Sequence, residues 1–204
     1  MKNIKKIVIT GGPCAGKSTA LSSIRDALEG DGYTVLLISE TATELISGGV
    51  APWTCASHAD YQSYQMMLQR KKEEVYTLAA EGMASDRILI VCDRGALDNK
   101  AYITNEEYEL CLERAEASES ELLLGYDAVF HLMTAAKGTD AYSCDSNPAR
   151  TETPEEAVAL DDALLHAWSG HPYFRSIDNS TDLDGKIDRL ISEIRTFLSS
   201  SDDA

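Results

Sequence analysis

Five short apolar runs alternate with stretches of helical periodicity: Ile4–Thr10, Thr34–Ser39, Arg87–Asp93, Ala128–Met133 and, weakest, Tyr173–Asp178. Their apolarity is nearly continuous rather than alternating. That means burial on both faces, so the pattern predicts a parallel sheet covered by helices, an α/β fold. After the first run, Ser18–Leu28 has apolar residues at helical spacing, and Gly30 is placed to end that helix. Ser57–Glu81 is helical by composition, with Tyr61, Tyr64, Met67, Leu68, Val75 and Leu78 as its apolar face. Thr104-Asn-Glu-Glu107 and Thr153-Pro-Glu-Glu156 are capping boxes, the second with proline at the first helical position. A last helix over Leu183–Leu198 carries Leu183, Ile187, Leu190, Ile191, Ile194 and Leu198 on one side, followed by an acidic tail, 199–204, expected to fray. No repeat or linker divides the chain, so one domain is expected over 1–204. The polar connection 135–153 is longer than most loops and is a lid candidate.

Between the first run and the first helix stands Gly11-Gly-Pro-Cys-Ala-Gly-Lys-Ser18, the pattern G-x-x-x-x-G-K-[ST]. Glycines at 11 and 16 let the backbone turn and approach phosphate oxygens. Successive N–H groups then form an anion nest at the positive end of a helix dipole. Gly12, Pro13, Cys14, Ala15, Gly16, Lys17, Ser18 and Thr19 are the expected cradle of a nucleotide, ATP or GTP. Lys17 would reach the β- and γ-phosphates, and Ser18 would place its hydroxyl on Mg²⁺.

Composition narrows the partners. The 204 residues suffice for a real core, and the net charge is −16. Such a field repels nucleic-acid backbones and anionic membranes, while the loop and Mg²⁺ can still supply positive charge locally to a nucleotide. Residues 1–30 show no secretory pattern, and no apolar run is long enough to span a bilayer. Cys14, Cys55, Cys92, Cys111 and Cys144 are odd in number and contain no C-x-x-C, which fits reduced thiols in a cytoplasmic protein. Cys14 reads as a small loop-filling residue. The histidines have no zinc spacing, and His131, within an apolar run, reads as a core residue.

In open α/β sheets, ligands sit at the carboxyl ends of strands. Asp93 ends the third run and is the expected second metal-side group beside Ser18. To reach that metal, its strand should neighbour the first. Arg94 follows at once and could stabilise transferring charge, orient substrate, or pair with Glu40 or Asp98. Glu40, after the second run, is the candidate general base for an attacking hydroxyl; the plainer role is a helix-start glutamate that suits the dipole. Arg150, in the lid, could close over the γ-phosphate, with Lys137 a second candidate there. Asn179, in Asp178-Asn-Ser180, is a candidate base contact or a plain turn residue. Trp53, Tyr61 and Tyr64 could line an acceptor pocket or belong to the core.

Ile9–Ser18, Glu40-Thr-Ala, Cys92-Asp-Arg-Gly95 with Asp98 and Ala101-Tyr102, Asn147–Arg150, and His171-Pro172 with Asp178-Asn179 occur in that order. Together they resemble the single-domain P-loop NTPases described as AAA-domain or kinase-like. They are similar to ribosylnicotinamide kinase domains and to the N-terminal domain of TRPL translocation defect proteins. The resemblance covers about residues 4–198. It implies a three-layer α/β/α fold of nucleoside-kinase type, strand order 2-3-1-4-5, with Lys17, Ser18, Asp93 and Arg150 in nucleotide roles. Two departures matter. Motor ATPases place Glu after the strand-three Asp, where this chain has Arg94; and Asn99-Lys-Ala-Tyr102 fails the Asn-Lys-x-Asp of base-reading GTPases. The expectation is therefore an Mg²⁺- and ATP-dependent kinase for a small hydroxyl-bearing acceptor such as a nucleoside or nucleotide. The rival is a nucleotide-sensing module with little turnover. Oligomeric state is silent.

Overall fold

The computed structural model describes residues 2–138 and 153–202. Its strands are β1 (Asn3–Thr10), β2 (Thr34–Ile38), β3 (Arg87–Asp93), β4 (Ala128–Leu132) and β5 (Phe174–Ile177). Among the described residues they form one sheet, all parallel, in the order β2-β3-β1-β4-β5. The order and the strand-three neighbourhood are as expected. In register, Ile9 lies opposite Asp93 and Thr10 opposite His131, which brings the ends of β1, β3 and β4 together at one edge.

The helices are α1 (Lys17–Gly30), α2 (Thr41–Ser47), α3 (His58–Gly82), α4 (Asn105–Arg114), α5 (Glu119–Leu124), α6 (Pro154–Trp168) and α7 (Leu183–Asp202), with a 3₁₀ helix at Ala96–Tyr102. Strand alternation sorts the core into two layers. Ile7, Ile9, Leu89, Val91 and Phe130 face Ile24 and Leu28 of α1 and Leu190, Ile194 and Phe197 of α7. Val8, Ile88, Ile90, Cys92 and Val129 face Met66 of α3, Tyr108 of α4 and Trp168 of α6. Each such side chain is worth roughly 1.5–3 kcal/mol of burial, and β3, the central contributor to both layers, is buried from Ile88 to Cys92. The boxes at Thr104 and Thr153 form as written, and Ser118 with Glu121 makes a third.

α1 ends at Gly30, as expected, and the positive φ that turns the chain away (+87°) falls at Gly32. One helical detail departs from expectation. α3 turns the opposite face inward. Of its expected apolar face, Tyr61 is buried, whereas Tyr64, Met67, Val75 and Leu78 are exposed. Gln62, Ser63, Gln65, Gln69 and Glu73 are buried instead. The reason is local pairing. Gln69 accepts from Thr41 Oγ1 and donates to Glu73 Oε1 (2.8 Å), and Glu73 also takes Lys6 Nζ (3.0 Å) and Tyr126 Oη (2.7 Å). A polar face with its own partners can be buried at little cost.

Candidate functional site

The loop from β1 to α1 takes the conformation its glycines permit. Gly11 sits at φ +138°, where a Cβ would lie 2.0 Å from the Leu132 carbonyl oxygen; Gly16, at φ +87°, is the N-cap of α1. Cys14 also takes a positive φ, 55°. Lys17 folds back over the loop and donates to Gly11 O (2.9 Å) and Gly12 O (3.0 Å), which holds its charge above the cradle. Pro13, lacking an N–H, contributes its carbonyl, which accepts from Thr134 Oγ1 at 2.5 Å.

A cavity of about 430 Å³ opens beside the loop, lined by Ser18, Ser39, Glu40, Thr43, Glu44, Ser47 and Asp93. Here the sequence candidates from three strand ends converge. Asp93 Oδ1 is buried without a hydrogen-bond partner. Burial, and next the charge of Glu40, push its carboxyl upward in pKa, against the pull of Lys17 and Arg94. An orphaned carboxylate oxygen in the cavity that Ser18 also lines fits a hard divalent cation, with oxygen donors on both sides. Among the described residues no cluster of three acidic, histidine or cysteine side chains could hold a metal alone. A Mg²⁺ here would depend on Ser18, Asp93, phosphate oxygens and water.

Glu40 is the N-cap of α2, yet its side chain caps no backbone N–H. It accepts from Arg94 Nε at 2.6 Å and from Thr43 Oγ1 at 2.5 Å instead. Burial raises its pKa, but Arg94, Thr43 and Lys17 outweigh that and bring it down to about 2. It is an ionised carboxylate held in one orientation. Arg94 is the holder. Its Nη1 also reaches Asp98 Oδ2 (3.3 Å) and Gly11 O (3.4 Å), so both suggested pairings, with Glu40 and with Asp98, form at once. Its φ of +71° is rare for a residue with a Cβ, a strain of the kind that gathers at functional sites. Asp98 is locked by Thr10 Oγ1 (2.9 Å) and Trp168 Nε1 (2.6 Å) and is a structural anchor for Arg94.

α3 runs beside this cavity, where Lys72 Nζ donates to Ser39 O (2.8 Å) and Glu44 Oε2 (2.7 Å) of its wall. Gln69 Nε2 donates to the Arg94 carbonyl at 3.3 Å. One and two turns earlier on the same face stand Gln65 and Tyr61, both buried. The Tyr61 hydroxyl has no hydrogen-bond partner, and burial, then the Glu40 charge, push it up to about 12. Tyr61 is thus buried within reach of the Glu40 charge, whereas Tyr64 and Trp53, the latter 76% exposed, lie on the surface.

Asn179 is spent inside the protein. Its amide donates to Thr134 O and Lys137 O, both 2.8 Å, and its Oδ1 accepts from Lys186 Nζ at 2.8 Å. The turn beside it is made by Asp178, which accepts from Ser180 N. Lys137 pairs with Asp161 (2.9 Å) and Asp162 (2.5 Å). Arg150 and most of the lid candidate lie outside the described residues. Sequence reasoning missed Asp161, Thr134 and Lys186, which hold the loop from behind. A signal existed for Asp161. It falls on one stripe with Ala157, Leu164 and Trp168, all buried, where an apolar residue is due.

These features define a P-loop nucleotide-binding protein. The chain belongs to the family described as AAA domain, which matches residues 6–186. Among solved structures, that of deoxyadenosine kinase from M. mycoides with bound dATP is similar in fold, with a TM-score of 0.61 over 94% of this chain and 99% of that one. Sequence identity to it is 18%, so the likeness is one of fold. No curated protein shows detectable sequence similarity to the chain.

Proposed function

We propose that the chain is a phosphotransferase that moves the γ-phosphoryl group of Mg·ATP to a hydroxyl of a small acceptor of nucleoside or nucleotide type. The observation that carries the reading is the pair Glu40–Arg94. An ionised carboxylate, turned away from its own helix and fixed by a buried guanidinium, faces the cavity that the loop also borders. A hydrolytic motor needs a carboxylate after the strand-three aspartate to activate water; this chain spends that position on Arg94 to hold Glu40. The fold likeness to a deoxyadenosine kinase, and the sequence resemblance to ribosylnicotinamide kinase domains, both favour a nucleoside-like acceptor.

In this reading the N–H groups of residues 14–19 and Lys17 bind the phosphates, and Ser18 and Asp93 hold Mg²⁺. The bound Mg²⁺ would neutralise charge on the β- and γ-oxygens. Glu40 accepts a hydrogen bond from the acceptor hydroxyl and orients its oxygen in line. A carboxyl with a pKa of about 2 is a weak base at rest, so its work before the transition state is orientation, and the proton moves late as the oxygen gains its phosphoryl. Tyr61 and Gln65 supply polar groups to the acceptor. Arg150 is assigned to the γ-phosphate. The side chain of Asn179 being occupied, the base is read by main chain near 178–180.

The test is acceptor-dependent ADP formation from Mg·ATP against a panel of nucleosides and nucleotides. One acceptor class should raise ADP formation at least tenfold over the acceptor-free rate. If none does while Mg·ATP still binds, the sensor reading takes its place.

A further inference from the structure

Asp161, on α6, lies far in sequence from the loop 11–18 and is fully buried. Its Oδ1 accepts from Gly12 N (2.9 Å) and Thr134 N (3.1 Å), with His131 Nε2 3.1 Å away; its Oδ2 accepts from Lys137 Nζ (2.9 Å). Burial would raise its pKa, but these partners hold it well below the usual carboxylate range. The Gly12 N–H belongs to the same peptide unit as the Gly11 carbonyl. That carbonyl accepts from Lys17 Nζ. One rigid, planar amide is therefore gripped at both ends, by a carboxylate behind the loop and by the ammonium above it. Opposite charges at the two ends of an amide polarise it in the same sense and strengthen both hydrogen bonds. The fit is close, since a Cβ on Gly12 would stand 2.8 Å from Asp161 Oδ1.

We propose that Asp161 is a positioning residue for Lys17, acting through the Gly11–Gly12 peptide to aim the carbonyl that holds the ammonium over the phosphate site. The inference rests on the reading of residues 11–18 as a nucleotide loop. Asp161 touches no nucleotide itself. It is negative, so by simple Coulomb repulsion its removal would strengthen phosphate binding; positioning requires the opposite sign.

The test is a double-mutant cycle between Asp161 and Lys17, read as Mg·ATP affinity by titration calorimetry, with thermal unfolding followed in parallel. Asp161→Asn keeps the shape and an acceptor oxygen but removes the charge. With Lys17 present it should weaken Mg·ATP roughly ten- to a hundredfold, the range for a charge-assisted hydrogen bond. In the Lys17→Ala background it should change affinity by less than about twofold, since the group it positions is gone. A purely structural Asp161 would cost the same factor in both backgrounds, and that additivity would overturn the proposal. So would tighter binding by Asp161→Asn. If the asparagine variant does not fold, Asp161→Glu carries the same cycle. It keeps the charge but crowds Gly12, and the same non-additivity is expected. Failure of the wild type to bind Mg·ATP or Mg·GTP would remove the nucleotide-loop reading and this inference with it.

Discussion

At the scale of single residues, the company a side chain keeps decides its chemistry. Glu40 and Asp93 line one cavity, yet their carboxyls are pushed in opposite directions. Arg94 pins Glu40 in its ionised form, while Asp93 keeps a buried oxygen unpaired. The split has a measurable sign. Glu40 goes from 4.5 to about 2 on folding, so its stabilisation is complete above pH 4.5 and is lost as pH falls through 2. The unfolding free-energy difference between wild type and Glu40→Gln, from urea melts, should be level above pH ~5. It should shrink by as much as ~3 kcal/mol toward pH 2. A difference independent of pH would mean that the Arg94 contact does not hold the charge. Lys17 was legible from the glycine pattern of its loop, and Glu40, Asp93 and Arg94 because each ends or follows an apolar run, where a core requests no charge. Lys186 was not, and Asp161 showed only as an acid on an apolar stripe, because the partners that explain each, such as Gly12 N and Met133 O, lie far away in sequence.

At the scale of elements, the strands were readable and one helix face was not. β3 coincides with its apolar run because a strand buried on both faces needs apolar residues at every position. α3 misleads because apolar residues and buried residues are different sets. Tyr64, Met67, Val75 and Leu78 share an outward stripe, while Gln65, Gln69 and Glu73 face in, Gln69 and Glu73 with partners on other elements: Thr41 for Gln69, Lys6 and Tyr126 for Glu73. Periodicity cannot see those partners. Gln69 is the joint, since it touches Thr41 of α2, Glu73 and the carbonyl of the strained Arg94. Gln69→Leu should cost about 1–3 kcal/mol in denaturant unfolding, by leaving buried polar groups unpaired. It should also lower phosphoryl transfer more than Mg·ATP affinity, because it loosens Arg94 and hence Glu40. A variant with wild-type stability would show that the inward polar face is idle.

At the scale of the molecule, the sheet order decides what can meet. With β3 beside β1 and β2 beyond it, the ends of the three strands deliver Ser18, Asp93 and Glu40 to one cavity. The other flank, β4 and β5 with α6 and α7, supplies Thr134, Asp161 and Lys186 to the back of the loop. In the proposed reading Glu40 serves the acceptor while the loop serves the nucleotide, so one substitution can separate the two roles. The deciding measurement compares Mg·ATP affinity and acceptor-dependent ADP formation in wild type and Glu40→Gln. The account predicts affinity within a few-fold of wild type and transfer lower by roughly 10²–10⁴, the range for a lost general base. Equal transfer by the two proteins, with an acceptor present, would contradict it.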